Sequence, residues 1–220
     1  MKKLFIILFI FYSINLFGQI PFLLHKSIIN ECVDNELIIN SQIWACENLD
    51  SIRLNDGTPI TKIENAASWA AATIPAYCWY DNDSTTYANL YGALYNAYAV
   101  RTGKLCPSGW HVPDTNDYNS LVSYLGGESV AGGKLKVTGL TYWDSPNTGA
   151  TNRSGFTGKG GGYRYNDGAF QSLKIDGHYW LSTIYLTHWN YRLYLGYNTA
   201  TTNKYEFYKT CGLSVRGIKD

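Results

Sequence analysis

A chain of 220 residues is long enough to bury a real core, even if a short leader is removed from it, and it fits one ordinary domain better than two. A net charge of +1 and a charged fraction of 16% supply neither a basic field nor an acidic tail, so nucleic acid is not an expected partner.

The start, Met1-Lys2-Lys3, an apolar run from Leu4 to Phe11 and then Asn15-Leu16-Phe17-Gly18-Gln19, has the basic, hydrophobic, small-residue order of a secretory signal. Cleavage after Gly18 would remove residues 1–18. The run is too short to span hydrocarbon and no later stretch reaches that length, so no transmembrane segment is expected. The product is expected to be secreted, periplasmic or held at the cell surface.

Residues 19–40 are unpatterned and read as an irregular lead-in, with a single domain over 41–220. Residues 42–49 (QIWACENL) alternate like an edge strand. A turn follows at Asn55-Asp56-Gly57. Residues 65–72 (NAASWAAA) read as a short helix capped by Asn65 and closed off by Pro75. Residues 90–100 are apolar and aromatic throughout, so period alone does not decide; they are assigned to a strand. After Pro113 comes an amphipathic helix with Asp114 or Thr115 as cap, an apolar face of Tyr118, Leu121, Val122 and Leu125, and a stop at Gly126-Gly127. Beyond Tyr142 turn signals recur at Gly160-Gly161-Gly162, Asn166-Asp167-Gly168 and Asp176-Gly177, which predicts short strands, hairpins and long loops. Trp44, Trp79, Trp110, Trp143 and Trp180 are assigned to the core.

All five cysteines lie beyond the leader, and an oxidising compartment allows two bridges with one thiol left over. Spacing does not fix the connectivity. The preferred pair is Cys78 with Cys106, because both adjoin aromatic-rich sequence; Cys46 and Cys211 are then candidates for a second pair at the two ends of the domain. No CxxC pair occurs and only four histidines exist, so no metal is expected. His111, between Trp110 and Pro113, could serve as a ligand or base, but lacks partners at ligand spacing and reads as a buried, hydrogen-bonded structural residue. Asp81-Asn82-Asp83 and Asn166-Asp167 could offer oxygens to calcium; they read better as turns, so no cofactor is expected and Ca2+ is disfavoured.

Several strings together carry a resemblance: IWACENL from Ile43, NDGTPI from Asn55, AYCWYDND from Ala76, YGALYNAYAV from Tyr91, GKLCPSGWHVP from Gly103, YLGGESVAGGKLK from Tyr124, SPNTGATNRSGF from Ser145, GGYRYNDGAF from Gly161 and GLSVRGIKD from Gly212. In this order they resemble the Fibrobacter succinogenes major paralogous domain, a family of secreted bacterial modules. That family looks like a branch of the C-type-lectin-like superfamily, which also holds formylglycine-generating enzymes. The resemblance implies an α+β, C-type-lectin-like fold: two short helices, a small twisted antiparallel sheet closed by pairing of the terminal strands, and long loops. The family usually carries cysteine in a terminal VRC motif where this chain has Gly217, while Cys46 and Cys211 stand at unexpected positions, so the disulfide pattern is expected to be rewired. The paired cysteines that formylglycine-generating relatives use near the C-terminus are not matched, because Cys211 stands alone; the protein is expected not to be an enzyme. The sugar-binding triplets of calcium-dependent lectins are also absent.

The last third is rich in rings and poor in acids. Nine of the 19 tyrosines fall within residues 163–208, and Glu206 is the only carboxylate within 177–208, which argues against a paired-carboxylate hydrolase there. Tyrosine, tryptophan, arginine and asparagine are what recognition surfaces use. Alternation places Tyr191, Leu193 and Leu195 on one strand face and Arg192, Tyr194 and Gly196 on the other. The expected ligand-binding set is Tyr185, His188, Trp189, Arg192, Tyr194, Tyr197, Asn198 and Tyr205. The expected function is a non-catalytic binding module for glycan or protein; a structural cell-envelope protein and a formylglycine-generating-like enzyme are the alternatives.

Overall fold

A computed structural model describes residues 31–220; the expected signal peptide, residues 1–18, lies outside the described residues. The chain runs β1 (Glu36–Ile39), β2 (Gln42–Ala45), β3 (Thr61–Lys62), α1 (Ala66–Ala70), β4 (Ala76–Cys78), a 3-10 turn (Tyr80–Asn82), α2 (Ser84–Tyr91), β5 (Leu94–Tyr95), α3 (Ala97–Val100), β6 (Trp110–His111), α4 (Thr115–Tyr124) and α5 (Glu128–Leu135). It continues with β7 (Gly161–Arg164), β8 (Phe170–Leu173), β9 (Asp176–Leu186), β10 (Trp189–Gly196), β11 (Thr202–Tyr208) and β12 (Ile218–Lys219). No helix among the described residues is long and apolar enough to cross a membrane.

Three sheets carry the fold, ordered β1-β2-β12-β6, β11-β10-β9-β7-β8 and β3-β4-β5. In the first, the two ends of the domain meet: Ile218 pairs with Trp44 on one side and with His111 on the other. Regular structure therefore begins ahead of Ser41, inside the stretch expected to be irregular. Leu37 and Ile39 alternate with exposed Ile38 and are fully buried, a two-residue period too short to register in sequence.

The second sheet holds the longest strands and separates two cores. Tyr179 and Leu181 of β9 and Leu193 and Leu195 of β10 enter a core built with Leu37, Trp44, Leu121 and Phe156. Trp180 points the other way, into a core with Tyr95, Leu105, Leu213 and Val215. Of the five tryptophans expected inside, Trp44, Trp143 and Trp180 are buried. Trp79 and Trp110 are only half-buried at the rim of that second core.

Helix content exceeds the two helices expected. Both of those are present with the caps expected: the Asn65 side chain accepts from the Ser68 N–H, and Asp114 forms a reciprocal capping box with Asp117. α2 and α5 have no clean apolar stripe to announce them. Residues 90–100 do not form one strand, because Gly92 turns with φ of 71° and buried Asn96 accepts from the Ala99 N–H, starting α3 directly after β5. α5 carries two glycines for a packing reason: a Cβ on Gly132 would stand 2.1 Å from the Thr201 carbonyl oxygen, and one on Gly133 would stand 2.2 Å from that of Gly149.

Three buried cations knit distant segments together. Lys136 donates to the carbonyls of Thr148, Gly196 and Thr199; burial pulls its pKa down to about 8. Arg164 donates to Ile63, Glu64 and Gly168 carbonyls between the rings of Trp69 and Phe170. Arg216 donates to the carbonyls of Ala45, Cys46 and Phe156 and to Asn48 Oδ1. None of the three is in an ion pair among the described residues.

Both expected cysteine pairings are corrected. Cys46 is bridged to Cys32, with Cα atoms 5.8 Å apart, and Cys78, Cys106 and Cys211 are buried free thiols. Cys78 belongs to a small third core with Trp69 and Leu94, whereas Cys106 lies in the second. Cys211 does not face Cys46, because the residue that meets the end of β2 is Gly217, whose carbonyl accepts from the Ala45 N–H.

Candidate functional site

The end of the second sheet where β9, β10 and β11 meet opens into a cleft of about 700 Å3. Strand register builds it. Across the β10–β11 pair, Trp189 faces Tyr208 and Arg192 faces Tyr205. The rings of Trp189 and Tyr208 lie 3.9 Å apart with an interplanar angle of 30°, stacked one on the other, so the platform they offer is the outer face of a stacked pair. Tyr185 and Leu186, from the end of β9, make one wall, and Tyr165, Tyr205 and Phe207 close the opposite side. Glu206 stands at the rim, exposed.

The β9–β10 hairpin tip is latched from outside. Arg101, at the C-cap of α3, donates from Nε to Asn190 Oδ1 at 2.8 Å and through Nη1 and Nη2 to the carbonyls of Leu186, Thr187 and Trp189. Buried Asn190 completes the link by donating to the carbonyls of Leu181 and Ser182. A single guanidinium therefore sets the position of the wall that carries Tyr185 and Leu186.

Arg192 forms the charged floor. Its guanidinium carbon lies 4.3 Å from the Phe207 ring centroid, 5.5 Å from that of Tyr194 and 5.7 Å from that of Tyr205. It contacts Nδ1 of His178 through Nη1, while its Nε is buried without a hydrogen-bond partner. Burial lowers the Arg192 pKa to about 10, still far above neutrality, so the cation persists. Burial, then the Arg192 charge, pushes His178 down to about 4, so His178 is neutral and its Nδ1 accepts. Behind it, Tyr194 donates to Asp176 Oδ1 at 3.0 Å. Burial works to raise the Asp176 pKa, but His178, Ser172 and Tyr194 outweigh it and hold the carboxyl below its ordinary value.

Of the eight residues expected to bind ligand, the structure brings Tyr185, Trp189, Arg192 and Tyr205 into the cleft. His188 is exposed in the hairpin turn, where its carbonyl accepts from Lys209. Tyr194 lies behind the floor. Tyr197 and Asn198 sit at the far end of β10, with Tyr197 packed on the first core. Sequence reasoning missed Tyr165, Leu186, Glu206, Phe207 and Tyr208. The alternation in β11 (TNKYEFY) could have placed Phe207 with Tyr205; its pairing partner could not be read.

A model of the Fibrobacter succinogenes major domain family matches residues 37–219. The chain belongs to this family. No curated protein and no solved structure matches it. The strings that pointed to the Fibrobacter succinogenes major domain hold three of the four buried cations, Lys136 in AGGKLK, Arg164 in GGYR and Arg216 in SVRG, so much of what the family resemblance reads is framework. The cleft residues, in contrast, fall mostly outside those strings.

The other chemical candidates in this family member resolve into local structure. His111 is half-buried rather than buried, held between Asp220 Oδ1 at 2.6 Å and Asp117 Oδ2 at 3.3 Å. Asp83 caps α2 by accepting from the Thr86 N–H, and Asp167 accepts from the Ala169 N–H in the β7–β8 turn. Burial pushes the thiols of Cys78, Cys106 and Cys211 up to about 12, which keeps them protonated at neutral pH.

Proposed function

We propose that this is an exported, non-catalytic binding module of C-type-lectin-like architecture that takes a glycan or protein ligand in the cleft between the β9–β10 hairpin and β11. The observation that carries this reading is the Trp189–Tyr208 platform beside Arg192, in a cleft whose volume of about 700 Å3 lies in the range of ligand sites. The pairing of β2 with β12 supports the lectin-like architecture. The protonated, separated thiols support a binding rather than a catalytic role. Arg101 supplies the preorganisation that a binding wall needs. The test is binding to glycan arrays and cell-surface extracts by the mature protein and by its Trp189→Ala and Tyr205→Ala variants: loss of the captured ligand in both is expected. Retention in both would remove the cleft from the account.

A second reading has its own observation. Ile184, Tyr185 and Leu186, three consecutive side chains, are 53%, 46% and 57% exposed at the hairpin tip. A structural envelope protein would bury them against a neighbour. Light scattering on the purified protein distinguishes the two: the binding reading predicts a monomer, the structural one an oligomer dissociated by Leu186→Lys.

A further inference from the structure

Arg192 differs from the buried framework cations. Lys136, Arg164 and Arg216 spend their N–H groups on backbone carbonyls and, for Arg216, on Asn48 Oδ1 as well, and none of them lines this cleft. Arg192 lines the cleft, makes one hydrogen bond, to His178, and is in no ion pair among the described residues. A guanidinium walled by rings and short of acceptors attracts an oxyanion strongly, because the low-dielectric surroundings magnify the interaction and the fork geometry fits two oxygens. Asp176 supports the Arg192 charge from a distance but makes no hydrogen bond or ion pair with it: its Oδ1 is engaged by Tyr194, and its Oδ2 lies 3.8 Å from His178 Nε2.

Beside this cation lie flat surfaces at the open mouth. The Trp189–Tyr208 platform and the exposed Tyr185 and Tyr205 rings offer apolar faces edged with phenolic hydroxyls. A sugar ring presents the complement, a C–H face with hydroxyls around its rim. Resting on the cleft's being a ligand site, we propose that its ligand is an acidic saccharide, with a carboxylate or sulfate on Arg192 and sugar rings laid on the Trp189–Tyr208 platform. Glu206, the one carboxylate at the rim among the described residues, then sets an upper limit on affinity by repulsion.

The test is calorimetric titration of the full mature protein with three probes: an oligogalacturonate, a sulfated oligosaccharide of similar length and a neutral oligosaccharide. At least one acidic probe is expected to bind about tenfold or more tighter than the neutral one, with affinity falling as salt rises. Arg192→Gln is expected to lose about tenfold or more of that affinity, and Arg192→Lys to retain part of it. Because Arg192 also supports His178, the decisive companion is Glu206→Gln, at an exposed residue: it should tighten acidic binding about two- to threefold and shift the preference toward acidic over neutral probes, since only an acidic ligand is relieved of repulsion. The proposal is overturned if neutral and acidic probes bind alike, if an acidic peptide of matched charge binds as tightly, if no saccharide binds, or if Glu206→Gln weakens binding. In the first two cases continued sensitivity to Trp189→Ala would leave the cleft itself standing as the site, so failure of the ligand class and failure of the site read differently.

Discussion

The Cβ that Gly217 lacks would stand 3.5 Å from the sulfur of Cys106. The pair brings the end of the chain against the loop before β6, at the place where the family resemblance expects a cysteine. Gly217 does not occupy the positive-φ region, so a side chain there is unstrained. Gly217→Cys should therefore close a bridge to Cys106 under oxidising conditions and stabilise the domain by about 2–4 kcal/mol. Mass spectrometry without reductant and thermal melts with and without it check this: two free thiols, those of Cys78 and Cys211, are expected, and four free thiols with an unchanged melt would count against the geometry.

Glycine in a helix ordinarily weakens it, and alanine at such a site gains about 1 kcal/mol. At Gly132 the opposite is expected. The added methyl would fall 2.1 Å from the Thr201 carbonyl oxygen, and Gly133 next to it donates its N–H to Ala200. Overpacking against backbone should outweigh propensity, so Gly132→Ala is expected to destabilise by about 3 kcal/mol. Urea unfolding decides; a stabilised variant would show that α5 and the β10–β11 turn are not in contact.

Arg101→Ala removes four hydrogen bonds that hold the hairpin tip. The expected cost is local, about 1–3 kcal/mol, read as faster amide exchange at residues 184–190 with β1 and β2 unaffected. Exchange that accelerates everywhere would show that the latch is part of the global core instead.

Acid should loosen the floor of the cleft. His178 has an ordinary pKa of 6.5 when unfolded and about 4 in the fold, where Arg192 and Asp176 face it along with the rings of Tyr163, Tyr194 and Phe207. Between these values the unfolded chain takes up a proton that the native state refuses. Stability is therefore whole above about pH 6.5 and falls as pH drops toward 4, by on the order of 3 kcal/mol. Asp176, whose folded pKa is depressed, extends the loss below the ordinary carboxylate range. Urea titrations from pH 7 to 4 should show this slope, and His178→Gln should flatten it.

The parts of this molecule readable in sequence are those with a local cause. Asn65 and Asp114 announce their helices because a cap is a short-range hydrogen bond, and Leu193 and Leu195 announce their face because alternation is a property of one strand. α5 was hidden because its glycines answer to Thr201 and Gly149, far away in the chain. The disulfide was misjudged for the same reason: Cys32 and Cys46 meet only because β1 folds back on β2. Four of the nine cleft residues, Tyr185, Trp189, Arg192 and Tyr205, are legible from the ring-rich, acid-poor composition of β9 to β11. Phe207 and Tyr208 joined it through register, which places Tyr208 on Trp189, and Tyr197 and Asn198 left it because β10 carries them to the opposite end.

The central claim is that Arg192 and the Trp189–Tyr208 platform receive a ligand together. The most direct measurement is a side-chain NMR titration that follows the Trp189 indole N–H and the Arg192 guanidinium signals while an oligogalacturonate is added. Both sets of signals shifting along one saturation curve, with Trp44 and Trp143 unmoved, is the predicted result. Saturable binding that leaves Arg192 and Trp189 silent would contradict the account.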